Sequence, residues 1–218
     1  MNNQENKNNV LEKFENFETV KPYICFVLVN RERKCGLLKK VPHRSFLDME
    51  VVYQVIFSWN SEQLTSCIVT NTIMNAWKVD EQTLFEHAFV NTKTIFQPCI
   101  SSLDRMLEEL AGEPVTVQCA SEEHLYIATN SIELNGAAVI LYNQVLQFFA
   151  QKIRDDFYIL PSSTHEVLFL PAGTGIEEKD ILRMVREINR VEIEEEEVLS
   201  DNIYYYNMDT GLIDTISG

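Results

Sequence analysis

Apolar and polar positions along this chain fall into two rhythms. YICFVLV (23–29) is a continuous β-branched and aromatic run and is expected to form a buried strand. FLDMEVVYQVIFSW (46–59) is apolar nearly throughout; its composition favours a strand, with a buried helix as the alternative. LTSCIVT (64–70) is its expected pairing partner across a turn at Trp59–Glu62. Asn71 then suits the cap of a short helix with Ile73, Met74 and Trp77, and Asp80 suits the cap of a second with Leu84, Phe85, Ala88 and Phe89 on one face. Ser101 with Asp104 predicts a helix over 103–110, and VTVQC (115–119) and LYIAT (125–129) predict two short strands.

The C-terminal half carries the strongest periodicity. Residues 137–153 are apolar over more than a stripe, which predicts a central helix. FYIL (157–160) and EVLFL (166–170) flank Pro161–His165 and predict a β-hairpin. Thr174 and Glu177 suggest a capping box for a helix over 176–190, with acids early and arginines late. NIYYY (202–206) and LIDTI (212–216) predict a terminal hairpin. This order of hairpins and helices points to an α+β fold with a mixed or antiparallel sheet packed by helices 137–153 and 176–190. The expected organisation is a polar leader and short helix over 1–19, an α+β part over 20–112 and another over 113–218, or one continuous domain.

Composition narrows the function classes. The formal net charge of −15 argues against direct nucleic-acid binding over the whole surface. No apolar run approaches a membrane span, the polar N-terminus has no signal-peptide pattern, and the five cysteines form no C-x-x-C pair. The expectation is a cytoplasmic protein with reduced thiols and no membrane contact. Cys25 and Cys67 lie in apolar stretches and are expected to be small buried hydrophobes.

Several blocks carry a family resemblance: VPHRSFLDMEVVY (41–53), IVTNTIMNAWKVDEQTLFEHAFVNT (68–92), YILPSSTHEVLFLP (158–171), VREINR (185–190) and EEVLSDNIYYYN (196–207). Together they resemble an uncharacterised family from Gram-positive bacteria known only as a domain of unknown function, and more distantly YtpQ-type proteins. The resemblance implies an N-terminal segment longer than the residues found here before position 20. It implies no reaction, cofactor or catalytic residue.

Four places could carry chemistry. His165 and Glu166 stand beside Ser162 and Ser163, the ingredients of an acid–base site or of ordinary turn chemistry. His43 and Arg44 end a basic segment, 31–44, whose net charge is +5; it could bind an anion or simply balance nearby acids such as Glu194–Glu197. Ala172–Gly175 has the setting of a phosphate loop, but Glu177 and Glu178 would repel phosphate, so capping is the better reading. Glu194, Glu195, Glu196 and Glu197, with Glu192 and Asp201, could imitate nucleic-acid phosphates toward a basic groove or serve as a solubilising connection. The four histidines are scattered, so no metal site and no cofactor are expected. The favoured class is a non-enzymatic acidic protein binding or inhibiting a basic, nucleic-acid-handling protein. The alternative is a small hydrolase-like enzyme or ligand sensor around His165 and Glu166 with His43 and Arg44.

Overall fold

The structure, a computed structural model, describes residues 14, 16–60, 63–102, 125–161 and 163–218. After a one-turn helix α1 (Phe17–Val20), strand β1 (Ile24–Asn30) pairs antiparallel with the long β3 (Met49–Trp59). The other edge of β3 is shared: β2 (His43–Phe46) pairs along its first part and β4 (Leu64–Ile68) along its second. A short helix α2 (Cys35–Leu38) connects β1 to β2 within the basic segment 31–44. The apolar run 46–59 is thus broken after Phe46 by a tight turn at Leu47–Asp48, with Leu47 in the left-handed region at φ +55°.

Helix α3 (Asn71–Trp77) is capped by Thr70, one residue before the expected Asn71; the Thr70 side chain accepts from the Ile73 amide. Helix α4 (Glu81–Ile95) is capped by Asp80 as expected, and its Leu84 and Ala88 are fully buried against the first sheet. Thr92 extends that contact by accepting a hydrogen bond from the Phe26 amide at 3.0 Å.

Among the described residues the second sheet has six strands, all paired antiparallel. It contains β5 (Pro98–Ser102), β6 (Tyr126–Asn130), β7 (Phe157–Leu160), β8 (Val167–Pro171), β9 (Ile203–Tyr206) and β10 (Ile213–Ile216), in the order β10-β9-β7-β8-β6-β5. Ser101 lies in β5; the helix expected over 103–110 and the strand expected over 115–119 fall outside the described residues. Helix α5 (Asn143–Ile153) covers one face of this sheet and α6 (Glu178–Val191) the other. Side chains on a strand alternate between faces, so strands covered on both sides must be apolar at every position. Phe157 and Ile159 accordingly join the core under α5, while Tyr158 and Leu160 pack with Ile181, Leu182 and Val185 of α6. The Phe149 ring of α5 sits 4.9 Å from Phe157 and 5.0 Å from Phe169, between centroids.

The α+β class and the antiparallel hairpins are therefore present. The helical segment expected over 137–153 has two parts: a buried 3-10 stretch (Gly136–Leu141) and α5, separated by Tyr142 at φ −95°, ψ 92°. Gly136 is required there by close approach. A Cβ would stand 2.1 Å from Thr129 Oγ1 and 2.5 Å from the His165 carbonyl oxygen.

One apolar cluster runs through both halves of the chain, with Phe26 and Tyr53 from the first sheet, Ala138 from the 3-10 stretch, Phe149 from α5 and Tyr204 from the second sheet. A polar seam joins the same parts. Asp48, in the β2–β3 turn, accepts from Ser200 Oγ at 2.6 Å, from Asn202 Nδ2 at 2.9 Å and from the Tyr204 hydroxyl. Asn30 Nδ2 donates to the Leu199 carbonyl at 3.1 Å.

Candidate functional site

The turn after β7 folds back on itself through local hydrogen bonds. Ser163 is buried; its amide donates to the Glu166 carbonyl and its Oγ accepts from the His165 amide at 3.0 Å. The His165 carbonyl accepts from Thr129 Oγ1 at 2.8 Å. Its ring Nδ1 accepts the Asn135 amide at 3.2 Å, which assigns the ring proton to Nε2, and Nε2 donates to Glu197 Oε1 at 3.2 Å. Both ring nitrogens thus have partners within the fold. Burial pushes the Glu166 carboxyl above the usual carboxylate range; His165 opposes the rise and Glu133 adds to it. Ser162 lies outside the described residues. This arrangement clasps the turn to the acidic run, since the Thr164 amide also donates to the Glu197 carbonyl at 3.0 Å.

His43 and Arg44 are on β2, and no described hydrogen bond or ion pair joins either of them to His165 or Glu166. Arg44 grips Glu81 at the start of α4 through two bonds, Nε to Oε1 at 3.1 Å and Nη2 to Oε2 at 2.7 Å. It also donates to Gln82 and lies 3.9 Å over the Phe85 ring. The bond to Glu81 raises the guanidinium pKa further, so Arg44 stays a fixed cation. His43 is exposed, with Nδ1 at 3.0 Å from the Val41 carbonyl.

The two charge foci of the sequence meet. Arg33 of the basic segment stands 3.5 Å from Glu195 and 3.6 Å from Asp201. Arg31 pairs with the buried Glu50 at 2.6 Å. Glu192, Glu194, Glu195 and Glu196 are exposed, and the turn they form is closed by the Glu197 amide donating to the Glu194 carbonyl at 2.8 Å. Beside this turn opens a groove of about 600 Å³, lined by Arg33, Arg186, Asn189, Arg190, Glu195 and Asp201, with Ile193 and Val198 as its apolar wall. On the flank of α6 away from the groove, Met184, Ile188 and Val191 are 41%, 36% and 63% exposed, one row at i, i+4, i+7 spacing.

The glycine-bearing turn before α6 is neither a phosphate loop nor a capping box. The Gly173 amide donates to Asp155 Oδ2 at 2.8 Å, so a carboxylate already occupies that place. Gly175 adopts φ +76° and delays the helix to Glu178, leaving Glu177 at the N-cap with no side-chain cap bond and the Thr174 hydroxyl without a partner among the described residues. Cys25 is buried, and burial pushes its thiol up to about 12. Cys67, by contrast, is exposed on the short strand β4, whose positions face solvent nearly throughout. Among the described residues, no three His, Cys, Asp or Glu side chains are placed to hold a metal ion, and no helix is long and apolar enough to cross a membrane.

The model of a family of unknown function, DUF5688, matches residues 1–208. The chain belongs to that family. No curated protein and no solved structure matches it. Two features of this DUF5688 member had no warning in the sequence. The partners of Asp48 and the Asn189 floor of the groove both depend on contacts between distant segments, and an isolated aspartate or asparagine gives no periodic signal. The SD pair of the 196–207 block supplies the Ser200 and Asp201 that organise both.

Proposed function

We propose that this protein is a non-enzymatic interaction module that receives a basic amphipathic helix from a macromolecular partner. The observation that carries this reading is the exposed apolar row Met184–Ile188–Val191 leading into the exposed carboxylates Glu192, Glu194, Glu195 and Glu196. An apolar row beside like charges suits an amphipathic helix whose polar face is rich in Lys and Arg, as in proteins that handle nucleic acids. The net charge of −15 adds long-range attraction for such a partner. The engaged ring nitrogens of His165 and the separate location of His43 and Arg44 support a scaffolding role for these residues over an acid–base one.

Affinity capture from native lysate at low and high salt identifies the partner, and two variants then test the surface. Replacing Glu194–Glu197 by glutamine should slow association and flatten its salt dependence, because steering acts on the on-rate. Met184→Asp with Ile188→Asp should instead speed dissociation. A partner that binds both variants with wild-type rates and salt slope would overturn the proposal.

A further inference from the structure

We propose that the groove between α6 and the Glu192–Asp201 segment is a binding site for a phosphorylated small molecule, held by Arg33, Arg186 and Arg190. This goes beyond the docking reading, since it uses the arginine-bearing flank of α6, shares only Glu195 with the docking surface and takes a different class of ligand. Three guanidinium groups line one groove in a chain of net charge −15. Each guanidinium presents a planar fork of donors that matches phosphate oxygens.

Their present engagement leaves that capacity open. Among the described residues Arg190 has no partner. Among those residues the guanidinium of Arg33 makes only the contacts to Glu195 and Asp201 at 3.5 and 3.6 Å, longer than charge-assisted hydrogen bonds. Arg186 uses Nε and Nη2 on the carbonyls of Asp201 and Gly218, which positions it and leaves its other donors free. The two carboxylates in the groove set the kind of anion. Glu195, with its side chain 87% exposed, is free to swing away, whereas Asp201 is fixed by Asn189 Nδ2 at 3.0 Å. A ligand must therefore outcompete one carboxylate beside another, which favours a dianionic phosphate over a single carboxylate.

Asn189 gives an independent sign of a missing partner. It is 5% exposed, its Nδ2 donates to both the Ser200 carbonyl and Asp201, and its Oδ1 has no hydrogen-bond partner among the described residues. A buried acceptor left over in a groove wall calls for a donor, which phosphate oxygens do not offer but a hydroxyl or amine on the organic portion of the ligand does. The groove's volume of about 600 Å³ exceeds that of a phosphate and leaves room for an organic portion against Ile193 and Val198.

The test is calorimetric titration of the full chain with pyrophosphate at constant ionic strength, with citrate and sodium chloride as comparisons. Pyrophosphate should bind saturably and raise Tm. Arg190→Gln should fold with wild-type Tm and bind about fivefold more weakly, and Arg33→Gln with Arg190→Gln at least about tenfold more weakly. Should the double variant fail to fold, Arg190→Gln alone decides. An effect reproduced by sodium chloride, citrate binding as tightly as pyrophosphate, or unchanged affinity in Arg190→Gln would each overturn the assignment.

Discussion

Removing the Asp48 carboxylate tests whether the polar seam holds the two sheets together. Asp48→Ala leaves the Ser200 and Tyr204 hydroxyls, 1% and 0% exposed, without their acceptor. Each stranded buried group costs about 1–3 kcal/mol, so the substitution should cost about 3–5 kcal/mol once the more accessible Asn202 bond is included. Tyr204→Phe removes one donor but leaves Asp48 with Ser200 and Asn202, and should cost about 1–2 kcal/mol. The hydroxyl is already absent in the double variant, so Asp48→Ala strands one group fewer there. The two effects should fall short of additivity by about 1–2 kcal/mol. Urea unfolding of the four proteins, followed by tyrosine fluorescence and far-ultraviolet dichroism, measures the cycle. Additivity within about 0.5 kcal/mol, or a cost below about 1 kcal/mol for Asp48→Ala, would refute the reasoning, because the seam would then be solvated or replaceable.

Three further outcomes follow from the packing. Leu146→Ala and Phe149→Ala, each removing a side chain 1% exposed, should each lower stability by about 2–5 kcal/mol in the same assay; wild-type midpoints would show α5 to be peripheral. Gly136→Ala drives a methyl group into the His165 carbonyl and the Asn130 amide, neither of which can move aside, so it should cost about 3 kcal/mol or more and loosen the His165 turn, read by amide hydrogen exchange. Glu166 holds its proton more tightly when folded than when unfolded, so its contribution to stability is present at low pH and is lost as pH rises through the folded value. Glu166→Gln should therefore raise Tm at pH 7 by about 1–2 °C and match wild type in acid; equal melting at pH 7 would count against burial as the cause.

Local chemistry made much of the fold legible. The strands β7, β8, β9 and β10 lie within a residue of their expected bounds, because turn residues flank short β-forming runs and set their ends. The run 46–59 was harder: its break falls at Leu47–Asp48, where a leucine takes a left-handed conformation that no glycine or asparagine advertises. The expected capping box at Thr174 and Glu177 does not form, because Gly175 turns the chain before the helix can start. For the candidate residues, the sequence supplied types but not company. Glu197 lies 32 residues from His165 and becomes its partner only when the β7–β8 turn meets the acidic turn, and Arg44 finds Glu81 across 37 residues.

The seam around Asp48 also sets the order in which this protein can be made. Its bonds join residues 152 to 169 positions apart, so the turn of the first hairpin waits for the 199–204 segment before its aspartate meets its donors. During synthesis, β1 and β3 can pair as soon as they emerge and α4 can cover part of their apolar inner faces, yet the rest of those faces waits for the second sheet. Closing so long a loop makes for slow, late consolidation, and the interval is one in which the nascent chain is open to aggregation and to capture by chaperones.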